Sequence, residues 1–392
     1  MTDRIDAPTW SAEQYRRCLE GALGVPFVGG NKVDVLVNGD RIFPPMIEAI
    51  EAAEHTVEFL TFIYWQGDVA SRIGQALADR ARAGVAVRVL LDAFGAQWMQ
   101  QEVIDHLREA GVEIAWFRPK ARWRVWQIDN RTHRKILVVD DRVGFTGGVG
   151  IAAEWEGDTR NPDEWRETHF RIEGPAVDGL RAAFVSNWVE AGRAGHDLFR
   201  ALAPQPMAGD IALQVIRTSA AVAYSDVATI FRLALTVSQR RLRVATGYFV
   251  PDEALMTLME EAVGRGVVID VLMPGPHNDS RVATMAAEAT FERLSAAGIN
   301  LYRFQPSMMH TKTVLIDEQV VIVGSANFNH RSMGKDDEIV VTAVDAGLAR
   351  RMSDDYDHDL TRSKHITHAE WVKRGLWQRL REWLGSRLAS QA

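Results

Sequence analysis

The sequence predicts an α/β protein of two similar lobes, each a mainly parallel, mixed β-sheet flanked by helices. The lobes are expected to pack about a pseudo-twofold with the active site between them. Three observations predict this. The chain repeats itself, helical and strand-like stretches alternate within each copy, and the composition is that of a packed globular protein, with 47% hydrophobic and 25% charged residues over 392 positions. That length accommodates two or three domains and a sizeable core.

The repeat consists of three segment pairs in the same order, offset by 177 to 187 residues. RAGVAVRVLLD (82–92) resembles GRGVVIDVLMP (264–274). LREAGVEIAWF (107–117) resembles LSAAGINLYRF (294–304), and HRKILVVDDRVGFTGG (133–148) resembles HTKTVLIDEQVVIVGS (310–325). Along the first copy, 47–53 and 69–83 have helical composition. TVEFLTFIYW (56–65) and VAVRVLLD (85–92) are β-branched and aromatic runs of strand length. Gly84, Gly111, Gly266 and Gly298 each stand between a helical stretch and an apolar strand, the position of a helix C-cap. The glycine- and proline-containing stretch 192–210 reads as the connection between lobes. The expected divisions are an N-terminal segment 1–30, a first lobe 31–205, a second lobe 206–365 and a basic amphipathic C-terminal helix 366–392.

In that last segment Val372, Leu376, Leu380, Trp383, Leu384 and Leu388 recur at helical spacing. Lys373, Arg374, Arg379, Arg381 and Arg387 sit among them against Glu370 and Glu382. An apolar stripe with flanking cations fits a helix lying in a membrane interface, and equally a terminal helix docked on the protein's own surface. The stretch 116–135 has a related character. It mixes Trp116, Trp123 and Trp126 with Arg118, Lys120, Arg122 and Arg124, a pairing suited either to the headgroup region of an anionic bilayer or to a cleft wall.

Charge and cysteine content exclude several classes. A formal net charge of −7 argues against a general nucleic-acid binder. The single cysteine, Cys18, forms no intramolecular disulfide or multi-cysteine metal site. The polar N-terminus lacks the apolar core of a signal peptide, and no uncharged apolar run approaches the roughly 18 residues a spanning helix needs. The expectation is a protein made in the cytoplasm that does not cross a membrane.

The chemistry-bearing pattern occurs twice. His133 and Lys135 are followed by Asp140 and then Gly147-Gly148; His310 and Lys312 are followed by Asp317 and then Gly324-Ser325-Ala326-Asn327. KILVVD and KTVLID are strand-like, so His and Lys two apart project from one face of the sheet. Lysine supplies a cation, histidine a group titrating near neutrality, and the glycine turn a close approach of backbone to an anion. Pseudo-twofold packing would pool two imidazoles and two lysines in one cationic cleft suited to a phosphodiester. One imidazole attacks phosphorus, the other protonates the leaving oxygen, and the lysines hold the non-bridging oxygens. No acidic cluster accompanies the histidines, so neither a metal nor another cofactor is expected.

At these residues the sequence resembles the phospholipase D superfamily, whose signature His-x-Lys-x4-Asp-x6-Gly-[Gly/Ser]-x-Asn occurs in duplicate. The resemblance covers roughly residues 30 to 365. It implies phospholipase D-type lobes, a phosphohistidine intermediate and metal independence. It also implies catalytic roles for His133, Lys135, Asp140, His310, Lys312 and Asp317, with Gly147, Gly148, Ser325 and Asn327 at the phosphate. The second copy is complete, whereas Gly150 stands where the first should have asparagine. The family also places an orienting carboxylate some thirty residues beyond each histidine: Glu338 for His310, at 28 residues, and Glu167 for His133, at 34.

The flanks resemble bacterial cardiolipin synthases of a short, soluble type, notably in residues 30–65, RTHRKILVVDDRVGFTGGVGIAAEW, WRETHFRIEGPAV and ATGYFVPD. The resemblance implies transfer of a phosphatidyl group from phosphatidylglycerol, or another phospholipid, to the hydroxyl of a second phosphatidylglycerol. His133 would be the nucleophile and His310 the acid and base. It implies an anionic phospholipid surface as partner, no nucleic acid, and a peripheral place on the cytoplasmic side of the cell membrane. Hydrolysis by water would make the enzyme a phospholipase D. The same four residues would also serve a nucleic-acid phosphodiesterase, and a non-catalytic lipid binder would not need all four.

Overall fold

The computed structural model describes residues 10–119, 130–193, 204–219 and 225–375, and within the C-terminal stretch residues 377–379, 382, 385 and 387. Two expectations therefore lie mainly outside the described residues: the Trp123, Trp126, Lys120, Arg122 and Arg124 segment, and most of the connection 192–210.

The first half contributes strands β1 (Val28–Val37), β2 (Thr56–Thr61), β3 (Ala86–Asp92), β4 (Glu113–Phe117), β5 (Ile136–Val139), β6 (Val143–Gly147) and β7 (Thr168–Glu173). The second contributes β8 (Ile211–Arg217), β9 (Arg241–Ala245), β10 (Val268–Pro274), β11 (Asn300–Phe304), β12 (Thr313–Ile316), β13 (Val320–Gly324), β14 (Ile339–Val344) and β15 (Ser363–Ile366). Among the described residues they run β15-β11-β10-β9-β12-β13-β14-β8-β1-β7-β6-β5-β2-β3-β4. The order is palindromic. β1 answers to β8, β7 to β14, β6 to β13, β5 to β12, and β2-β3-β4 to β9-β10-β11. The halves join where β1 and β8 pair antiparallel. Only β2-β3-β4 and β9-β10-β11 are parallel, so the sheet is mixed and mainly antiparallel, which corrects the mainly parallel expectation, with β15 as an added antiparallel edge.

The helices are α1 (Ala12–Leu23), α2 (Gly39–Glu51), α3 (Asp68–Arg82), α4 (Gln101–Glu109), α5 (Val177–Glu190), α6 (Asp226–Val237), α7 (Glu253–Gly264), α8 (Arg281–Ala296), α9 (His330–Gly334), α10 (Ala346–Thr361) and α11 (His368–Trp371). Alternation along the strands sorts their side chains into layers. Val57, Phe59, Val87, Val89 and Leu91 face an outer core under α2, α3 and α4. Leu60, Leu90, Ile136 and Val138 face a central core shared with Leu272, Leu315 and Val341 of the other half, and with α5 and α10. A third core, under α1, α6, α7 and α8, covers the far side of the second half. Burial on both faces explains why the strands read as nearly continuous apolar runs.

Gly84, Gly111, Gly266 and Gly298 have φ between 91° and 95°, the conformation that ends a helix before a strand. Two element bounds differ from expectation. Helix α2 begins eight residues before the expected 47, with Pro44 and Pro45 inside it, because Ile42, Phe43, Met46, Ile47 and Ile50 bury one continuous face. The strand expected at 56–65 stops at Thr61, where the chain turns to bring Phe62, Ile63 and Trp65 to the cleft.

The termini pack on the second half. Tyr15 and Leu19 of α1 lie in its core, and the Tyr15 hydroxyl donates to Asp317 at 2.6 Å. The C-terminal segment is not one helix from residue 366, which corrects that expectation. Residues 363–366 form β15, α11 ends at Trp371, and helix resumes at Trp377. Among its described residues the docked reading holds. Trp371 is buried with its ring 5.0 Å from Phe291, and Arg374 bridges Glu292 at 2.7 Å and Glu382 at 2.8 Å. Gly385 lies so close to α8 that a Cβ would be 2.6 Å from Met285. Leu376, Leu380, Arg381, Trp383, Leu384 and Leu388 lie outside the described residues.

Candidate active site

Hairpins β5-β6 and β12-β13 carry the duplicated pattern, with each histidine and lysine just before the first strand. Both histidines line a cleft of about 300 Å³ between the halves, together with Lys135 and Asn327. Each lysine folds back on the residue two before it: Lys135 Nζ donates to the His133 carbonyl at 2.7 Å, and Lys312 Nζ donates to the His310 carbonyl.

The orienting carboxylates are crossed, which corrects the sequence-based pairing. His133 Nδ1 is 3.1 Å from both oxygens of Glu338, and His310 Nδ1 is 2.6 Å from Glu167 Oε2. Each carboxylate therefore serves the histidine of the opposite half. The backbone explains the crossing. His133 N donates to Asp337 O and Asp337 N to Arg131 O, each at 2.8 Å; His310 N donates to Arg166 O and Arg166 N to Met308 O, again at 2.8 Å. The residue before each glutamate is thus stitched to the chain before the other half's histidine. Donation from Nδ1–H to the Glu338 carboxylate fixes the His133 tautomer and leaves its Nε2 free; His310 Nδ1 is contacted by Lys312 Nζ at 2.9 Å as well as by Glu167.

Gly148 and Ser325 occupy corresponding places and are not interchangeable. Ser325 Oγ donates to Glu338 and accepts from Ile339 N at 3.0 Å. A Cβ on Gly148 would be 2.5 Å from Glu167, whose carboxylate fills that space. Gly147 abuts the buried His169. Gly150, where asparagine was expected, has a counterpart in tryptophan: a Cβ there would be 2.9 Å from the Trp155 ring. Trp155 Nε1 lies 3.3 Å from His310 Nδ1, and Trp165 covers the same imidazole at 5.3 Å between rings. Among the described residues His133 has one ring beside it, Phe62 at 5.2 Å, and its side chain is 13% exposed against 6% for His310.

Asp140 and Asp317 stand apart from the cleft, at the far ends of β5 and β12. Asp140 accepts from the backbone N–H groups of Glu54, His55 and Thr56 at 2.7–2.8 Å. Asp317 accepts from Gln239, Arg240 and Arg241, each at 2.7 Å. Their expected place among the catalytic groups is corrected: they clamp the start of β2 and β9 to the hairpin turn. Sequence reasoning also missed Arg134, between the first histidine and lysine. It is buried and donates to Ala183 O, Ser186 Oγ, Asn187 Oδ1, Thr218 O and Glu338 O, holding the two halves together. Only its place inside the motif could have signalled it.

Electrostatics follow from burial. Burial pushes the His133 imidazole down to about 4, against the pull of Glu338, and the His310 ring well below its usual range. Burial lowers Lys135 to about 7 and Lys312 to about 8, opposed by Glu338 and Glu167. Burial raises Glu338 as well, but His133, Lys135 and Ser325 outweigh it and hold the carboxyl down at about 2. The cleft thus presents neutral imidazoles beside ammonium groups that an entering anion would stabilise.

Two fused α/β halves bringing two imidazoles to one cleft, each followed by a buried lysine, define the phospholipase D class of phosphodiester-processing enzymes. The family model described as "Cardiolipin synthase, PLD-like domain" matches residues 46–175 and 232–360. Cardiolipin synthase A of Pseudomonas aeruginosa is 33% identical over 344 residues, covering 87% of this chain and 69% of the relative. Cardiolipin synthase 1 of Bacillus cereus is 28% identical over 368 residues, covering 92% and 72%. Among solved structures, phosphatidylserine synthase of Haemophilus influenzae superposes with a TM-score of 0.72 at 14% identity, over 96% of both chains. Polyphosphate kinase of Porphyromonas gingivalis gives 0.58 at 13% identity, over 94% of this chain and 53% of that one. The chain belongs to the cardiolipin synthase family of phospholipase D-like enzymes, and it is a phosphatidyltransferase or phosphodiesterase of that superfamily.

Proposed function

We propose that the protein makes cardiolipin by transferring a phosphatidyl group between two phosphatidylglycerol molecules through a phosphohistidine. The carrying observation is the pair of imidazoles in one cleft, each held at Nδ1 by the other half's carboxylate and each followed two residues on by a buried lysine. His133 Nε2 attacks phosphorus, the bond from phosphorus to the glycerol oxygen breaks, and His310, carrying a proton on Nε2 once the anionic phosphodiester has entered beside it, gives that oxygen its proton. His310 then takes the proton of the incoming hydroxyl as its oxygen bonds to phosphorus and the P–N bond to His133 breaks. The greater exposure of His133 supports its role as nucleophile. Lys135 and Lys312 hold the non-bridging oxygens.

Lipid as substrate is supported by the cleft wall. Phe62, Ile63 and Trp65 line it, with Phe94 and Trp98 at its rim, 43% and 60% exposed. Among the described residues no helix is long and apolar enough to cross a membrane, and the reading is of a peripheral enzyme on the cytoplasmic face. Incubation with phosphatidylglycerol vesicles and separation of the lipids by thin-layer chromatography tests it. Cardiolipin and glycerol are expected; phosphatidic acid alone would mean hydrolysis, and no lipid product would overturn the reading. His133→Ala and His310→Ala should each abolish product.

A further inference from the structure

The cleft has two unlike walls. The first half supplies the aromatic one; the second supplies Tyr248, Asp279, Asn327 and Asn329, together with the Arg331–Asp336 ion pair. Tyr248 Oη donates to the Asp279 carboxylate, lying 2.8 and 2.7 Å from its two oxygens. Asp279 has no ion-pair partner among the described residues, although it opens on the cleft that Lys135 lines. A carboxylate there repels the phosphodiester, so phosphate binding does not account for it.

Its position narrows the alternatives. A Cβ on Gly247 would be 3.3 Å from Asn327 Oδ1 and 3.5 Å from His310 Cδ2, so the chain entering Tyr248 runs along the His310 ring. Asn327 Oδ1 is buried and has no hydrogen-bond partner. Beside the acid-base histidine the wall therefore offers acceptors: both Asp279 oxygens, Tyr248 Oη and Asn327 Oδ1. Vicinal hydroxyl groups, which donate, fit such a set. A cationic headgroup fits it less well, because Lys135 and Arg331 line the same cleft.

We propose that Asp279 and Tyr248 form a polyol subsite. It would hold the free hydroxyls of a glycerol headgroup while the reacting hydroxyl faces His310. The proposal rests on the phosphatidyltransferase reading and specifies its alcohol. Leaving and entering glycerol would use the same subsite, since each exchanges its proton with His310.

The test uses the full chain and phosphatidylglycerol vesicles with equal concentrations of 13C-glycerol and 1-propanol. The two alcohols differ by the vicinal hydroxyls and compete for one phosphatidyl-enzyme, so the ratio of labelled phosphatidylglycerol to phosphatidylpropanol reads acceptor choice alone. The wild-type protein should favour glycerol. Asp279→Ala should lower the preference by about tenfold or more, for loss of hydrogen bonds to a charged group. Tyr248→Phe should lower it severalfold, and Asp279→Asn, which keeps an acceptor, should retain most of it. An unchanged ratio in Asp279→Ala and Tyr248→Phe, or no glycerol preference in the wild type, would overturn the subsite. So would an Asp279→Asn protein that behaves like Asp279→Ala, since that pattern marks a cationic ligand. Glycerol preference without cardiolipin in the same tube would keep the subsite and remove phosphatidylglycerol as acceptor.

Discussion

Asp317→Ala separates structure from chemistry within one motif. Asp317 lies five residues beyond Lys312 on the same strand, roughly 16 Å at 3.3 Å per residue. It accepts three backbone N–H bonds at 2.7 Å and the buried Tyr15 hydroxyl at 2.6 Å. At about 1 kcal/mol net for each bond, its loss should cost about 4 kcal/mol. With about 2.1 cal/mol/K of unfolding entropy per residue over 392 residues, that is a fall in Tm of roughly 5 °C. Scanning calorimetry reads the shift. Turnover of bis(p-nitrophenyl) phosphate at 20 °C, well below the transition, should stay within about twofold of wild type. An unchanged Tm with turnover reduced on the order of 10³-fold would refute the reasoning, because Asp317 would then act on the chemistry.

Lys135→Ala and Lys312→Ala should show the reverse. Each should lower turnover of the soluble diester by about 10²–10³-fold, as loss of one oxyanion donor does, with little change in Tm; near-normal rates would remove the lysines from the phosphate. Stability should fall as pH drops from 6.5 towards 4. The unfolded imidazole protonates near 6.5, whereas native His133 waits until about 4 and His169 until about 3, so the unfolded chain binds more protons across that window. At His133 alone the gap corresponds to about 3 kcal/mol, and urea midpoints that stay flat between pH 7 and 4.5 would contradict it. Trp371→Ala, which empties the contact with Phe291, should cost about 3 kcal/mol by thermal denaturation; no change would detach the C-terminal segment from α8.

Much of this fold is written locally. The three segment pairs, the helix-ending glycines and the i, i+2 histidine and lysine depend on neighbours in the chain, and each appears where its spacing places it. The orienting carboxylates depend on topology. Glu338 is 28 residues from His310 and 205 from His133, yet it is His133 that it holds. Sequence distance favours the wrong ring because the stitching of 131–133 to 337 crosses between halves. Asp140 and Asp317 travel with the motif for a different reason: the hairpin that presents the histidine needs its turn clamped to β2 or β9. Trp155 was unreadable as a cover for His310, since its contact spans 155 residues and only the space at Gly150 hints at it. The packing of Tyr15 on Asp317 likewise joins residues 302 apart.

The crossed glutamates also order events during synthesis. His133 leaves the ribosome 205 residues ahead of Glu338, a wait of roughly 10–40 s at ordinary elongation rates. Glu167 is made early but waits 143 residues for His310. A nascent or prematurely terminated N-terminal half therefore carries one imidazole without its anchor and one anchor without its imidazole. Under the two-histidine mechanism proposed above, such a fragment lacks a fully anchored pair, so reactivity waits on synthesis of the second half.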